Sequence, residues 1–161
     1  MPYVLDTNVF IEAKDYYYMF DVCPGFWEWL VKRNGDGSVY SVQAVNDELQ
    51  KGSDKLAEWA NERGGEFFLH PNASTARALE TVASEVRRMD YEESAVNGFF
   101  NTADYHLVAE AYAKKYTVVT REAKSNSARL VKIPNVCDKL QITCIGPFEM
   151  LSAEKARFVL G

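Results

Sequence analysis

Residues 3–13 read YVLDTNVFIEA: a run of apolar residues, then Asp6, Thr7 and Asn8, then apolar residues again from Val9. The reading of this stretch decides the fold. A short continuous apolar run followed by a helical pattern is the signature of a buried strand leading into a helix. "PYVLD" is therefore expected as a strand and the stretch from Thr7 as a helix, with a carboxylate at the join. The same alternation continues outward. "FWEWLVKRNGDG" reads as a helix with glycines past its end, suited to left-handed caps, and "SVYSV" as a second strand leading into helical "QAVNDELQKG". "EFFLH" fits an edge strand, and residues 73–100 have a helical pattern. "TADYHLVAEAYAKKY" reads as a helix, "TVVT" and "ITCI" as strands, and the C-terminus as a last helix. Strands alternating with helices of this length indicate βαβ units. The expectation is an α/β fold whose central parallel sheet, of about 4–5 strands, is flanked by helices on both faces.

Length and composition bound the function. At 161 residues, 47% hydrophobic and 25% charged, the chain suits one globular domain spanning residues 1–161. No apolar stretch approaches the roughly 20 residues of a membrane span, and no secretory leader precedes Tyr3. A cytoplasmic protein without a membrane partner is expected. Cys23, Cys137 and Cys144 show no paired spacing and are expected as free thiols. The net charge of −5 argues against a nucleic-acid partner only until its distribution is seen. Residues 1–120 balance to −8 and residues 121–161 to +3, so a basic C-terminal quarter can face a polyanion.

Four acids fall where ligands bind in parallel sheets, beyond the carboxyl ends of the strands. Asp6 closes the first strand, and Glu122 follows "TVVT". On the helix from Thr102, Leu107, Val108 and Ala111 share one face with Asp104, which places that acid in the buried stripe of the first turn. Glu48 shares an arc with Ala44, Val45 and Leu49, whereas Asp47 points away. Each acid alone has a structural alternative: Asp6 as a helix cap, Asp104 as a helix N-terminal acid, Glu48 as a partly buried surface acid. Together they are costly, because unpaired buried carboxylates lose several kcal/mol each. His70 and His106 sit in no metal-ligand spacing. All-oxygen donors call for Mg²⁺ or Mn²⁺ rather than zinc.

The motifs "YVLDTNVFI", "SVQAVNDELQKG" and "ADYHLVAEAYAKKYTVVTRE" resemble those of PIN-domain ribonucleases, and "VKIPNVCDKL" resembles a PIN-like toxin subgroup. The resemblance covers nearly the whole chain. It implies a Rossmann-like PIN fold and a Mg²⁺- or Mn²⁺-dependent endoribonuclease, the toxin of a toxin–antitoxin pair. RNA would be the substrate and a cognate antitoxin protein the partner, with homodimerisation compatible. Carried over by position, Asp6 and Asp104 are the principal metal ligands, Glu48 a third acid and Glu122 a fourth. Thr7, Asn8 and Thr120 would orient ligands or bound water. The run "TREAKS" departs from the usual aspartates, with Glu122 first and Lys124 second, leaving one-metal and two-metal chemistry both open. Two alternatives remain: a non-cleaving PIN-fold module that binds RNA or protein, and a phosphotransfer or phosphatase domain. The phosphatase reading would want a second aspartate where Asn8 stands.

Because an acidic pocket repels phosphates, a clamp is expected nearby. "REAKSNSARLVK" supplies Arg121, Lys124, Arg129 and Lys132 against Glu122 alone. The aromatic "DYYYMF" (Asp15 to Phe20) fits either packing or stacking on unpaired bases.

Overall fold

A computed structural model describes residues 2–160. Its sheet has five parallel strands in the order β3-β2-β1-β4-β5, flanked by helices. The strands are β1 (Tyr3–Leu5), β2 (Val39–Val42), β3 (Phe68–Leu69), β4 (Thr117–Val119) and β5 (Cys144–Ile145). All three residues of β1 and of β4 are buried, as expected of strands covered on both faces. β1 is central: Tyr3 lies opposite both Val39 and Thr117, and Leu5 opposite Val119.

The helices are α1 (Thr7–Glu12), α2 (Pro24–Gly35), α3 (Gln43–Leu49), α4 (Lys55–Arg63), α5 (Ala73–Arg88), α6 (Glu93–Phe100), α7 (Ala103–Lys114), α8 (Ile133–Leu140) and α9 (Pro147–Ala153). α1 continues into a π-helical turn, Ala13–Tyr17. The helical pattern over residues 73–100 is two helices, broken between Arg88 and Glu93. α4 and α8 were not anticipated, although both carry start signals: Asp54 accepts from the Ala57 N–H at 3.0 Å, and Pro134 is in the first turn of α8. Gly37, with φ +78°, takes the left-handed conformation in the turn after α2.

The strand order places the site. β2 and β3 extend to one side of β1, while β4 and β5 extend to the other. The crevice beyond the carboxyl ends of β1 and β4 is thus the topological switch point, where open α/β sheets bind ligands. Asp6 leaves β1 at this crevice, and its N–H donates to the Val119 carbonyl at 2.9 Å, joining the two strand ends.

Candidate metal centre

Asp6 is buried, at 1% exposure. It stands at the N-cap of α1 without making a side-chain cap bond. Its carboxylate instead accepts from the Thr120 hydroxyl at 2.7 Å. That Thr120 oxygen in turn accepts from the Glu122 N–H at 3.1 Å. Asp104 lies in the first turn of α7, half-buried. Glu122 follows β4 and accepts from the N–H of Ile133, the first residue of α8, at 2.9 Å. These three acids bring one carboxylate oxygen each to within 4.8 Å of one another.

The group has the electrostatics of a cation site. Burial, reinforced by the charges of Glu122 and Glu48, pushes the Asp6 carboxyl up to about 7, against the opposing hydrogen bonds from Thr120 and the Thr7 backbone. Burial, then the charges of Asp6, Glu122 and Glu48, push Asp104 up to about 8; Lys132 alone acts the other way. Like charges in a desolvated crevice disfavour one another's ionisation. Among the described residues, none of the three makes a salt bridge. Glu110 on α7 shows the contrast. It is also 1% exposed, but Lys114 Nζ lies 2.7 Å away and the Thr75 hydroxyl donates to it at 2.9 Å. Glu110 carries its own neutralising base and ties α7 to α5, whereas the triple lacks one. Three hard oxygen donors with excess negative charge fit Mg²⁺ or Mn²⁺.

The other expected residues are distributed around this group. Glu48 stands beside the triple: one carboxylate oxygen accepts from the Thr7 hydroxyl at 2.7 Å and the other from the Ala103 N–H at 3.1 Å. It thereby satisfies an N-terminal amide of α7 one residue before Asp104. The Thr102 side chain makes no cap bond, its hydroxyl donating to the Phe99 carbonyl, and Glu48 serves the α7 amide in its place. Thr7 is committed to Glu48. Asn8 is exposed, and the side-chain hydrogen bond to Asp6 comes from Thr120 instead. His70 and His106 are outside the triple.

The basic segment is less uniform than its sequence suggests. Lys132 is half-buried and close enough to Asp104 to favour its charged form. Lys124 pairs with Asp138 at 3.3 Å and Arg129 with Glu92 at 3.7 Å, both exposed. Arg121 turns toward Glu12 at 3.5 Å and lies over the rings of Tyr17 and Phe148. Sequence reading did not single out Phe148, nor the backbone amides of Ala103 and Ile133. Residues so far apart in the chain leave no local signal of their contacts. The three cysteines are free thiols.

Fold and site together define the class: an α/β protein with a carboxylate-lined crevice at its switch point. Residues 3–158 match the family described as "Domain of unknown function (DUF4411)", and the chain belongs to that family. No curated protein matches it. Among solved structures, the chain is similar to one chain of the crystal structure of VapBC2 from Rickettsia felis bound to a DNA fragment from their promoter. The TM-score is 0.52 at 14% identity, covering 90% of this chain and 97% of that one, a likeness of fold. No helix of the described residues is long and apolar enough to cross a membrane.

Proposed function

We propose that the chain is a metal-dependent endoribonuclease that hydrolyses RNA phosphodiester bonds and acts as the toxin of a toxin–antitoxin pair. The observation that carries this reading is the convergence of Asp6, Asp104 and Glu122 within 4.8 Å at the strand ends, unpaired by any base. It is supported by the fold likeness to one chain of the VapBC2 structure, and by the resemblance of the motifs around Asp6, Glu48 and Asp104 to PIN-domain ribonucleases. The partner in this reading is a protein antitoxin that silences the site.

Asp6, Asp104 and Glu122 would hold the cation. Bound there, Mg²⁺ or Mn²⁺ supplies Lewis-acid polarisation of a phosphoryl oxygen and a lowered pKa for water. The protein's own groups set the geometry. Thr120 fixes the Asp6 carboxylate, and Glu48 braces the start of α7 so that Asp104 projects from a held helix turn. Such supporting contacts hold ligands in register and are worth about 10–100-fold in affinity or activity. Lys132, beside Asp104, is placed to receive a phosphate oxygen that the acids would otherwise repel. The triple contains no histidine, and no general base need come from one.

Incubating total RNA with the purified chain, with and without Mg²⁺ or Mn²⁺, and mapping the cut ends tests the reading. Internal cleavage only with metal is expected; equal cleavage in chelator, or none with either metal, would overturn it.

Within the triple, Glu122→Gln should lower cleavage about tenfold, less than loss of an aspartate. The amide oxygen of glutamine can still accept from the Ile133 N–H, which one Glu122 oxygen already serves. Cleavage rates across a metal titration check this; a loss equal to that of Asp104→Asn would make Glu122 a ligand of the same weight.

The exposed cations of the basic segment should act on RNA binding alone. Their pairs with Asp138 and Glu92 are surface pairs worth about 0–1 kcal/mol, so they can be exchanged for phosphates. Lys124→Ala and Arg129→Ala should each lower the salt slope of single-strand binding by about 0.7 and leave metal affinity unchanged. An unchanged slope in both variants would place the clamp elsewhere.

A further inference from the structure

A cluster of exposed rings gathers around Arg121, on side chains that the metal site does not use. After α1 the chain widens into its π-turn, closed by the Tyr18 N–H donating to the Ala13 carbonyl at 2.7 Å. Such turns re-aim side chains and occur often at functional sites. Here Tyr18 turns inward and stacks on Phe26, with ring centres 4.4 Å apart and planes 10° apart. Tyr16 and Tyr17 turn outward, 71% and 45% exposed. The Tyr17 ring meets Phe148 of α9 edge-on at 4.9 Å, and Phe148 is itself 42% exposed. The Arg121 guanidinium lies 5.3 Å from the centre of the Tyr17 ring and 5.1 Å from that of Phe148. It also donates to the Tyr17 hydroxyl at 3.1 Å, while Glu12 holds its other side.

The position of this cluster gives it meaning. Arg121 stands between Thr120, which holds Asp6, and Glu122, a member of the triple. Arg121 thus joins the ring cluster to the segment that carries Glu122. We propose that Tyr17, Phe148 and Arg121 form a stacking platform for an unpaired nucleotide of the RNA substrate, on the segment that leads into Glu122. The proposal rests on the nuclease reading. Exposed aromatic rings offer a face to any base, and a planar guanidinium adds a cation–π partner. A duplex cannot use the platform, because its base faces are already stacked within the helix. Lys124 and Lys132, on the segment that follows Arg121, supply the charge for flanking phosphates. That complementarity favours a nucleic acid over a protein at this surface.

The test uses the full chain with Ca²⁺ in place of Mg²⁺ to slow cleavage. The probe is a ten-nucleotide RNA carrying 2-aminopurine at each position in turn, as a single strand and as a duplex. Quenching at one or two adjacent positions of the single strand is expected. The double variant Tyr17→Ala with Phe148→Ala should weaken single-strand binding about ten- to a hundredfold. Mn²⁺ affinity and duplex binding should be unchanged, and Tyr17→Trp beside wild-type Phe148 should keep full binding. Arg121→Lys retains the charge, so it should lose single-strand affinity with the salt slope intact, and it serves as the second readout should the double variant fold poorly. Wild-type affinity in both variants with no quenched position overturns the platform while leaving the nuclease standing. A wild-type chain that neither binds nor cuts RNA fails at the nuclease reading itself. Unchanged RNA affinity with loss of a dimer in sedimentation would make the rings a contact between copies, which also overturns the platform.

Discussion

Asp104→Asn and Asp6→Asn should each lower metal-dependent RNA cleavage by more than about a hundredfold, above the loss caused by removing a group that merely supports a ligand. Growth inhibition on expression should disappear with it. The fold should survive, because asparagine can still accept from the Thr120 hydroxyl at position 6, and Asp104 makes no salt bridge to lose. Asp104→Asn should even stabilise the metal-free protein at pH 8, by about 1 kcal/mol or about 2–4 °C in melting temperature. The reason is that burial and three neighbouring acids already disfavour the Asp104 charge. An inactive variant more stable than its parent is expected where clustered, desolvated carboxylates are kept for function at a cost in stability. Full activity in either folded variant would remove that residue from the site.

The second large effect is on stability against pH. Free aspartate titrates near ~4 in an unfolded chain, whereas Asp6 and Asp104 here titrate at about 7 and about 8. Between those limits the folded state binds more protons than the unfolded state, so stability falls as pH rises. The contribution is fully present below about pH 4 and is lost as pH passes through 7 and 8. Asp6 alone, raised by about three pH units, represents on the order of 4 kcal/mol, or roughly 10 °C in melting temperature. Melting in chelator should therefore worsen from pH 5 to pH 8.5 and level off above. Mn²⁺ or Mg²⁺ should reverse the loss, most strongly at the alkaline end, where no proton competes for the ligands. A flat profile in chelator, or an equal metal effect at pH 5 and pH 8.5, would contradict the assignment. Asp104→Asn should flatten the profile.

Much of the fold was legible because its signals are local. A three-residue strand buried on both faces must be continuously apolar, so "YVL" and "TVV" stand out, and the helices between them show their periodicity. What was missed was short or interrupted. α4 and α8 are 9 and 8 residues long, and the break after Arg88 carries neither glycine nor proline at the boundary. Asp6 and Asp104 were legible for the same reason. One terminates an apolar strand and the other interrupts an apolar helix face, so each sits where a charge is conspicuous.

The division of labour among the remaining acids was not legible. By sequence, Glu48 reads as the third acid of the pocket and Glu122 as a departure from the usual aspartate. In space, Glu122 reaches the triple with its loop tied back to the first amide of α8, while Glu48 stands beside it and accepts from Thr7 and Ala103. Glutamate side chains are long enough to serve either role, and residues 41 and 55 positions apart leave no periodicity to say which partner is in reach. The same holds for Arg121, whose sequence neighbours promise a phosphate contact and whose spatial neighbours are two rings. Sequence by itself determined the strand–helix alternation, the charge asymmetry and the two aspartates at the crevice, since each follows from burial along a single element. Which carboxylate oxygens meet, which acid braces the helix and where the aromatic rings gather were decided only by tertiary packing, because those contacts join segments whose separation along the chain carries no trace of their distance in space.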